Sequence, residues 1–223
     1  MKYLIIYFTL FFPILVNAYD SVDEIRNSFN KNGKAFVDKS RPTHKGVSER
    51  IDSDINQIKS KGYIEVEKSD AIDKFTINDY SKYFTPLNDI VPNLTFTPAT
   101  IGNLSLKIEF QGAIPKNEIT SGSSKGRWSS LEKFYTLKNK SVLSIEETDY
   151  ISSNMTVSFQ EDFINESVNG NPAIFVIKKT EKGNAISKLT WFSNERLFTI
   201  KMTGHVRGLG KANKLVEIAE SMY

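Results

Sequence analysis

Apolar residues recur along this chain in two rhythms, and the first gives way to the second near Tyr63. Ahead of that point Val22, Ile25 and Phe29 share one helical face behind Ser21-Val22-Asp23-Glu24, a capping-box pattern with Ser21 as N-cap. After a break at Arg41-Pro42-Thr43, the same spacing returns in Ile51, Ile55 and Ile58 and stops near Gly62. Two amphipathic N-terminal helices are therefore expected. Past Tyr63 the period tends to two. "SLKIEF" alternates through Leu106, Ile108 and Phe110, "RWSSLEKFYTL" and "SVLSIEE" flank the turn-forming "KNK", and "NMTVSF" alternates through Met155, Val157 and Phe159.

The pattern is clearest near the end. "PAIFVIKK", "AISKLTWFS" and "RLFTIKMT" are joined by "TEKGN" and "NE", linkers short enough for hairpins, so these neighbours are expected to be antiparallel. Leu215, Ile218, Ala219 and Met222 then fall on one face of a closing helix. A short helix is expected at 78–84, and Pro86, Pro92 and Pro98 punctuate an irregular crossing before the sheet. The fold class that follows is α+β: an antiparallel sheet, read as a meander, packed by helices on one face and closed by a C-terminal helix.

The ends change the picture in one respect. Lys2 precedes an apolar run from Tyr3 to Val16, and Val16-Asn17-Ala18 offers small residues where a signal peptidase reads. Residues 1–18 are therefore expected to be a signal peptide, 19–62 a helical segment and 63–223 the α+β domain. A spanning helix needs about 17–25 apolar residues. The run is shorter and is interrupted by Pro13, so no stable membrane insertion is expected after cleavage. The chain has no cysteine, which leaves its stability to packing. Charge is near balance, with 29 Lys and Arg against 26 Asp and Glu, and gives no warrant for a nucleic-acid partner. Sequons stand at Asn93, Asn103, Asn139, Asn154 and Asn165, but a chain this rich in Asn, Ser and Thr produces them by chance. The expected location is the periplasm or the exterior of a bacterium.

"NGNPAIF", "LTW", "LFTI" and "LVEIAESM", spread from Asn169 to Met222, resemble the final hairpins and closing helix of PsbP-like α/β sandwich domains of exported proteins. The resemblance leaves residues 19–100 uncovered, and its motifs are apolar, so they mark core positions. It implies a scaffold for binding and assembly without catalysis.

Several stretches imitate catalytic or ligand-binding motifs. "GHVRGLGKA" follows a strand and precedes a helix, as a P-loop does, but five residues separate Gly204 from Gly210-Lys211 and Ala212 replaces the hydroxyl that would hold magnesium. Those glycines are read as a corner, with His205, Arg207 and Lys211 near a helix N-terminus as candidates for an anionic group on a ligand or partner. "GSSKG" imitates a hydrolase elbow at Ser124, with Asp149 or Asp162 and His205 in the matching chain order. It lacks the buried strand before and the helix after, since "AIPKNEITS" is polar and broken by Pro115. Ser-x-x-Lys occurs at Ser130–Lys133 and again at Ser28–Lys31 without its partner motifs. Two histidines and no cysteine leave little for zinc. Glu146, Glu147 and Asp149 are read as a charged strand edge facing water rather than as paired carboxylates or calcium ligands. Trp191 is expected in the core. Arg127 and Trp128, at the end of a polar loop, are the preferred exposed contact.

The expectation is thus a non-catalytic exported protein that binds another protein, as an assembly factor, inhibitor or toxin-neutralising protein does, with no cofactor. The alternative is a periplasmic carrier of a small apolar molecule or lipid, held between sheet and helices.

Overall fold

The computed structural model describes residues 34–40, 42, 44–67, 70–102, 107–193, 195–204 and 214–223. The expected signal peptide and the first amphipathic helix lie outside them. The described chain is mixed α/β with a large, mostly antiparallel sheet. Its strands are β1 (Ala35–Asp38), β2 (Ile64–Val66), β3 (Ile108–Glu118), β4 (Trp128–Leu137), β5 (Val142–Asp149), β6 (Val157–Gln160), β7 (Glu166–Val168), β8 (Asn171–Thr180), β9 (Ala185–Phe192) and β10 (Arg196–Thr203). Its helices are α1 (Lys45–Lys61), α2 (Asp70–Asp73), α3 (Ile77–Ser81), α4 (Leu87–Ile90) and α5 (Lys214–Glu220).

The large sheet runs β2-β8-β9-β10-β5-β4-β3, with β7 paired to β8. The short linkers make the expected hairpins β8–β9, β9–β10 and β4–β5. The order is not one meander, however. Two hairpin runs, β3–β5 and β8–β10, are joined side by side through the antiparallel pair β10–β5. "NMTVSF" leaves this sheet altogether: β6 pairs in parallel with β1, a strand inside the segment read as helical.

Helix α1 ends where its sequence stops it. Gly62 adopts φ 79°, a left-handed conformation cheap only for glycine, and its N–H bonds the Ile58 carbonyl. Lys59 and Lys61 in the last turn suit the negative end of the helix dipole. At α3 the Thr76 hydroxyl accepts from the Asp79 N–H at 3.2 Å, a cap worth about 1 kcal/mol.

Both faces of the sheet are covered, which corrects the expectation of helices on one face. On the first face α5 lays Leu215, Ile218 and Ala219 over Leu143, Ile145, Phe175, Ile177, Leu189, Trp191, Phe198 and Ile200. Trp191 is buried as expected and stacks on Phe198 with ring centroids 4.9 Å apart. On the second face Ile72, Phe75 and Tyr80 pack on Phe134, Val142 and Ile186, α1 packs Ile51 and Ile55 near Ile174, and the β1–β6 pair covers Phe192 and Leu197. The reason is visible in "PAIFVIKK". Ala173, Phe175 and Ile177 face one way and Val176 and Lys178 the other, yet all are buried, the mark of a strand enclosed on both sides.

Candidate functional site

Cross-strand register brings charged residues from different strands into one row on the second face. Glu132 of β4 stands opposite Glu146 of β5, and Lys201 of β10 stands opposite Lys188 of β9. Like charges directly opposite repel, and the diagonals relieve them. Lys201 reaches Glu132 at 3.1 Å and Glu146 at 3.5 Å, while Lys116 of β3 pairs with Glu132 and reaches Glu146 at 3.4 Å. Lys178 of β8 continues the row. Lys178, Lys188 and Lys201 line a gap of about 30 Å³ beneath Ala71, Ile72, Phe75 and Tyr80, room for water-sized contents only.

Burial and neighbours set the protonation states here. Burial would raise the Glu132 carboxyl, but the Lys201 and Lys116 charges outweigh it and hold it below the usual carboxylate range. Lys201 is correspondingly raised, because Glu132 and Glu146 overcome the effect of burial. Lys188 goes the other way: burial, reinforced by the Lys201 charge, pushes it down to about 7. Burial likewise lowers Lys178 to about 8, partly offset by Asp54. A near-neutral amine is chemically a nucleophile or base, but this one is buried under α2 in a gap without space for a substrate.

A second network occupies the first face. Glu147, 0% exposed, meets Lys133 at 2.7 Å and Arg196 at 3.1 Å, and accepts the Ala99 N–H at 2.9 Å. Lys133 donates to the Ala99 carbonyl and Arg196 to the Thr97 carbonyl at 2.9 Å, with the Arg196 guanidinium over the rings of Phe96 and Phe198. The Thr95 hydroxyl bonds Asp149 at 2.7 Å. These carboxylates therefore clamp the irregular crossing onto the sheet. The reading of Glu146, Glu147 and Asp149 as a strand edge facing water is wrong, because β5 lies in the middle of the sheet.

The imitated motifs do not assemble among the described residues. Ser130 and Lys133, separated by an odd number of strand positions, point to opposite faces: the Ser130 hydroxyl donates to Thr148 at 2.8 Å and Lys133 joins the Glu147 clamp. Ser124 sits in a hairpin loop between β3 and β4, its carbonyl accepting the Arg127 N–H at 3.0 Å, while Asp149 is engaged by Thr95 and by the N–H groups of Ile151 and Ser152. A strand does precede that loop, since Pro115 lies within edge strand β3, but another strand follows it. Among the described residues no group of three or more His, Cys, Asp or Glu is placed to hold a metal.

His205, Arg207 and Lys211 lie outside the described residues. Gly204, at the end of β10, is described at φ 93°, while Gly208 and Gly210 of the expected corner lie outside the described residues. Arg127 is an exposed residue, and its guanidinium donates to the Leu94 carbonyl. Trp128 is half-buried against Ile90, Leu94, Ala113 and Leu131. Both thus have work inside the fold. The charged row escaped sequence reasoning because each member reads singly, one charge in an alternating strand, and register alone aligns them. No family model matches the chain, and no curated protein or solved structure matches it either.

Proposed function

We propose that this chain is a non-catalytic exported binding domain that acts by contact with another protein, in the manner of an assembly factor, an inhibitor or a toxin-neutralising protein. One observation carries the reading: among the described residues, the strand carboxylates that could do chemistry are spent on internal structure. Glu132, Glu146 and Glu147 are each ion-paired within the sheet, and Asp149 is bonded by its own turn. The leader-like residues 1–18 and the resemblance of "NGNPAIF" and "LVEIAESM" to PsbP-like domains support export and a binding scaffold.

The carrier reading needs aromatic sheet positions left uncovered. Tyr135, Phe175, Trp191 and Phe198 are instead buried by the chain's own elements, and among the described strands Phe110, at one corner, is the exposed aromatic. Native mass spectrometry of residues 19–223, purified gently from the host, separates the two. A second protein at fixed ratio supports the binding domain. Retained mass the size of a lipid overturns it in favour of a carrier, and Ser124-dependent hydrolysis of an ester or peptide panel would overturn it in favour of an enzyme.

A further inference from the structure

Strand β3 ends the sheet, and its outer side is protected unevenly. Toward the C-terminal half, Pro115 offers no N–H, and the Thr85 N–H bonds the Ala113 carbonyl at 2.9 Å. At Gly112 the Phe84 ring lies so close that an added Cβ would stand 2.2 Å from it. The irregularity between Phe110 and Gly112 separates that half from the first. From Ile108 to Gln111 the outer side of β3 pairs with no described strand.

That half of β3 borders a groove of about 560 Å³ lined by Lys107, Ile108, Glu109, Thr136, Leu137, Lys138 and Lys140. Its apolar floor is Ile108 and Leu137, both half-buried against the core, and beside them Phe110 is 45% exposed while resting edge-on against Tyr135. Its rim is cationic. Lys138 and Lys140 are held in the β4–β5 turn, where the Lys140 N–H bonds the Leu137 carbonyl at 2.8 Å, and Lys107 immediately precedes β3. Against these three lysines the lining holds one carboxylate, Glu109.

We propose that this corner is a docking groove for an extended acidic segment of a partner protein. The proposal rests on the binding-domain reading and names its surface. The segment adds to the outer edge of β3 by main-chain bonds, sets alternate apolar side chains on Ile108, Leu137 and Phe110, and turns its carboxylates to Lys107, Lys138 and Lys140. Charge complementarity selects an acidic occupant over a basic one, and β-addition explains why a long strand keeps an aromatic side chain in water at an unprotected edge.

The test is a fluorescence-anisotropy titration at low ionic strength with a labelled peptide alternating glutamate and isoleucine, and with its lysine-for-glutamate counterpart. Saturable binding of the first and not the second is expected, weakened about tenfold or more in Lys107→Glu/Lys138→Glu. Both lysines are exposed, so this variant keeps the wild-type melting temperature; Phe110→Thr is a second variant with the same expected loss. Failure to bind the acidic peptide, or equal binding by the variants, overturns the proposal. Variant-sensitive binding of phosphatidylglycerol vesicles without peptide binding also overturns it, by assigning the corner to an anionic surface. The native complex keeps the two readings apart. A protein partner retained by Lys107→Glu/Lys138→Glu and by Phe110→Thr removes the groove and leaves the binding domain, whereas wild-type protein with no partner removes the binding domain itself.

Discussion

On the α5 face Glu147 is closed in by Lys133, Arg196 and the Ala99 N–H, and the object held is a piece of irregular chain. On the opposite face Glu132 and Glu146 share Lys116 and Lys201, and the objects held are strands already bonded to one another. The first network centres on Glu147, fully buried, with backbone partners and Arg196 28% exposed at its rim; the second has two carboxylates, two shared cations and an open end at Lys116, 34% exposed. A buried carboxylate is completed by main-chain hydrogen bonding on the first face and by shared lysines on the second. Loss of a partner should therefore cost more on the α5 face.

Glu147→Gln tests this most severely. The substitution keeps the shape and removes the charge that compensates Lys133 and Arg196, so a loss of about 3–5 kcal/mol is expected by urea denaturation. Protease sensitivity should appear first around residues 95–102, the segment the clamp holds. A loss below about 1 kcal/mol would mean that the crossing is held by packing alone.

Lys188 separates the faces by pH. Its folded value of about 7 lies below its ordinary 10.5, so between those limits the unfolded chain binds the proton and the folded chain does not. The cost of burying this amine is complete below pH 7 and fades as pH rises toward 10.5. The groups facing it are Lys201, Glu146, Lys178 and Glu132. Lys188→Met should be more stable than the wild type at pH 6, with the difference shrinking by roughly 2 kcal/mol between pH 7 and 9. A pH-independent difference would show that Lys188 remains charged in the fold.

Gly112→Ala probes the packing of the same face. The new methyl drives Phe84 off Phe134, now 5.3 Å away by ring centroids, at an expected cost of about 1–3 kcal/mol, read as a lowered melting temperature. An unchanged melting temperature would show that the Phe84 ring yields freely and adds little to the second-face core.

Much of this was legible in the chain. The hairpins followed from alternating runs and short linkers, because both are local; α1 stopped at Gly62, and Trp191 was core. Strand order is not local, and there the reading failed. Pro115 suggested a broken loop because an edge strand that tolerates it cannot be told apart until its neighbours are known. Glu146 and Glu147 suggested an edge because charge alone does not reveal Lys201 and Lys133 waiting on adjacent strands. Of the candidate contacts, Arg127 and Trp128 were singled out for their type, and what engages them, the Leu94 carbonyl for Arg127 and the Ile90–Leu94 cluster for Trp128, lies far away in sequence.

Lys116→Met carries the smallest expected effect and sharpens the comparison from its open end. Glu132 keeps Lys201 when Lys116 is lost, and the lysine is exposed enough for water to screen the pair, so the cost should stay below about 1 kcal/mol and fall further in high salt. Lys201→Met removes the charge between two carboxylates that stand opposite one another, and should cost more than Lys116→Met at every salt concentration. Equal costs for the two, measured by urea denaturation in low and high salt, would mean that the row is stabilised as a whole and has no open end. Sharing would then have sealed the second face as completely as backbone bonding seals the first.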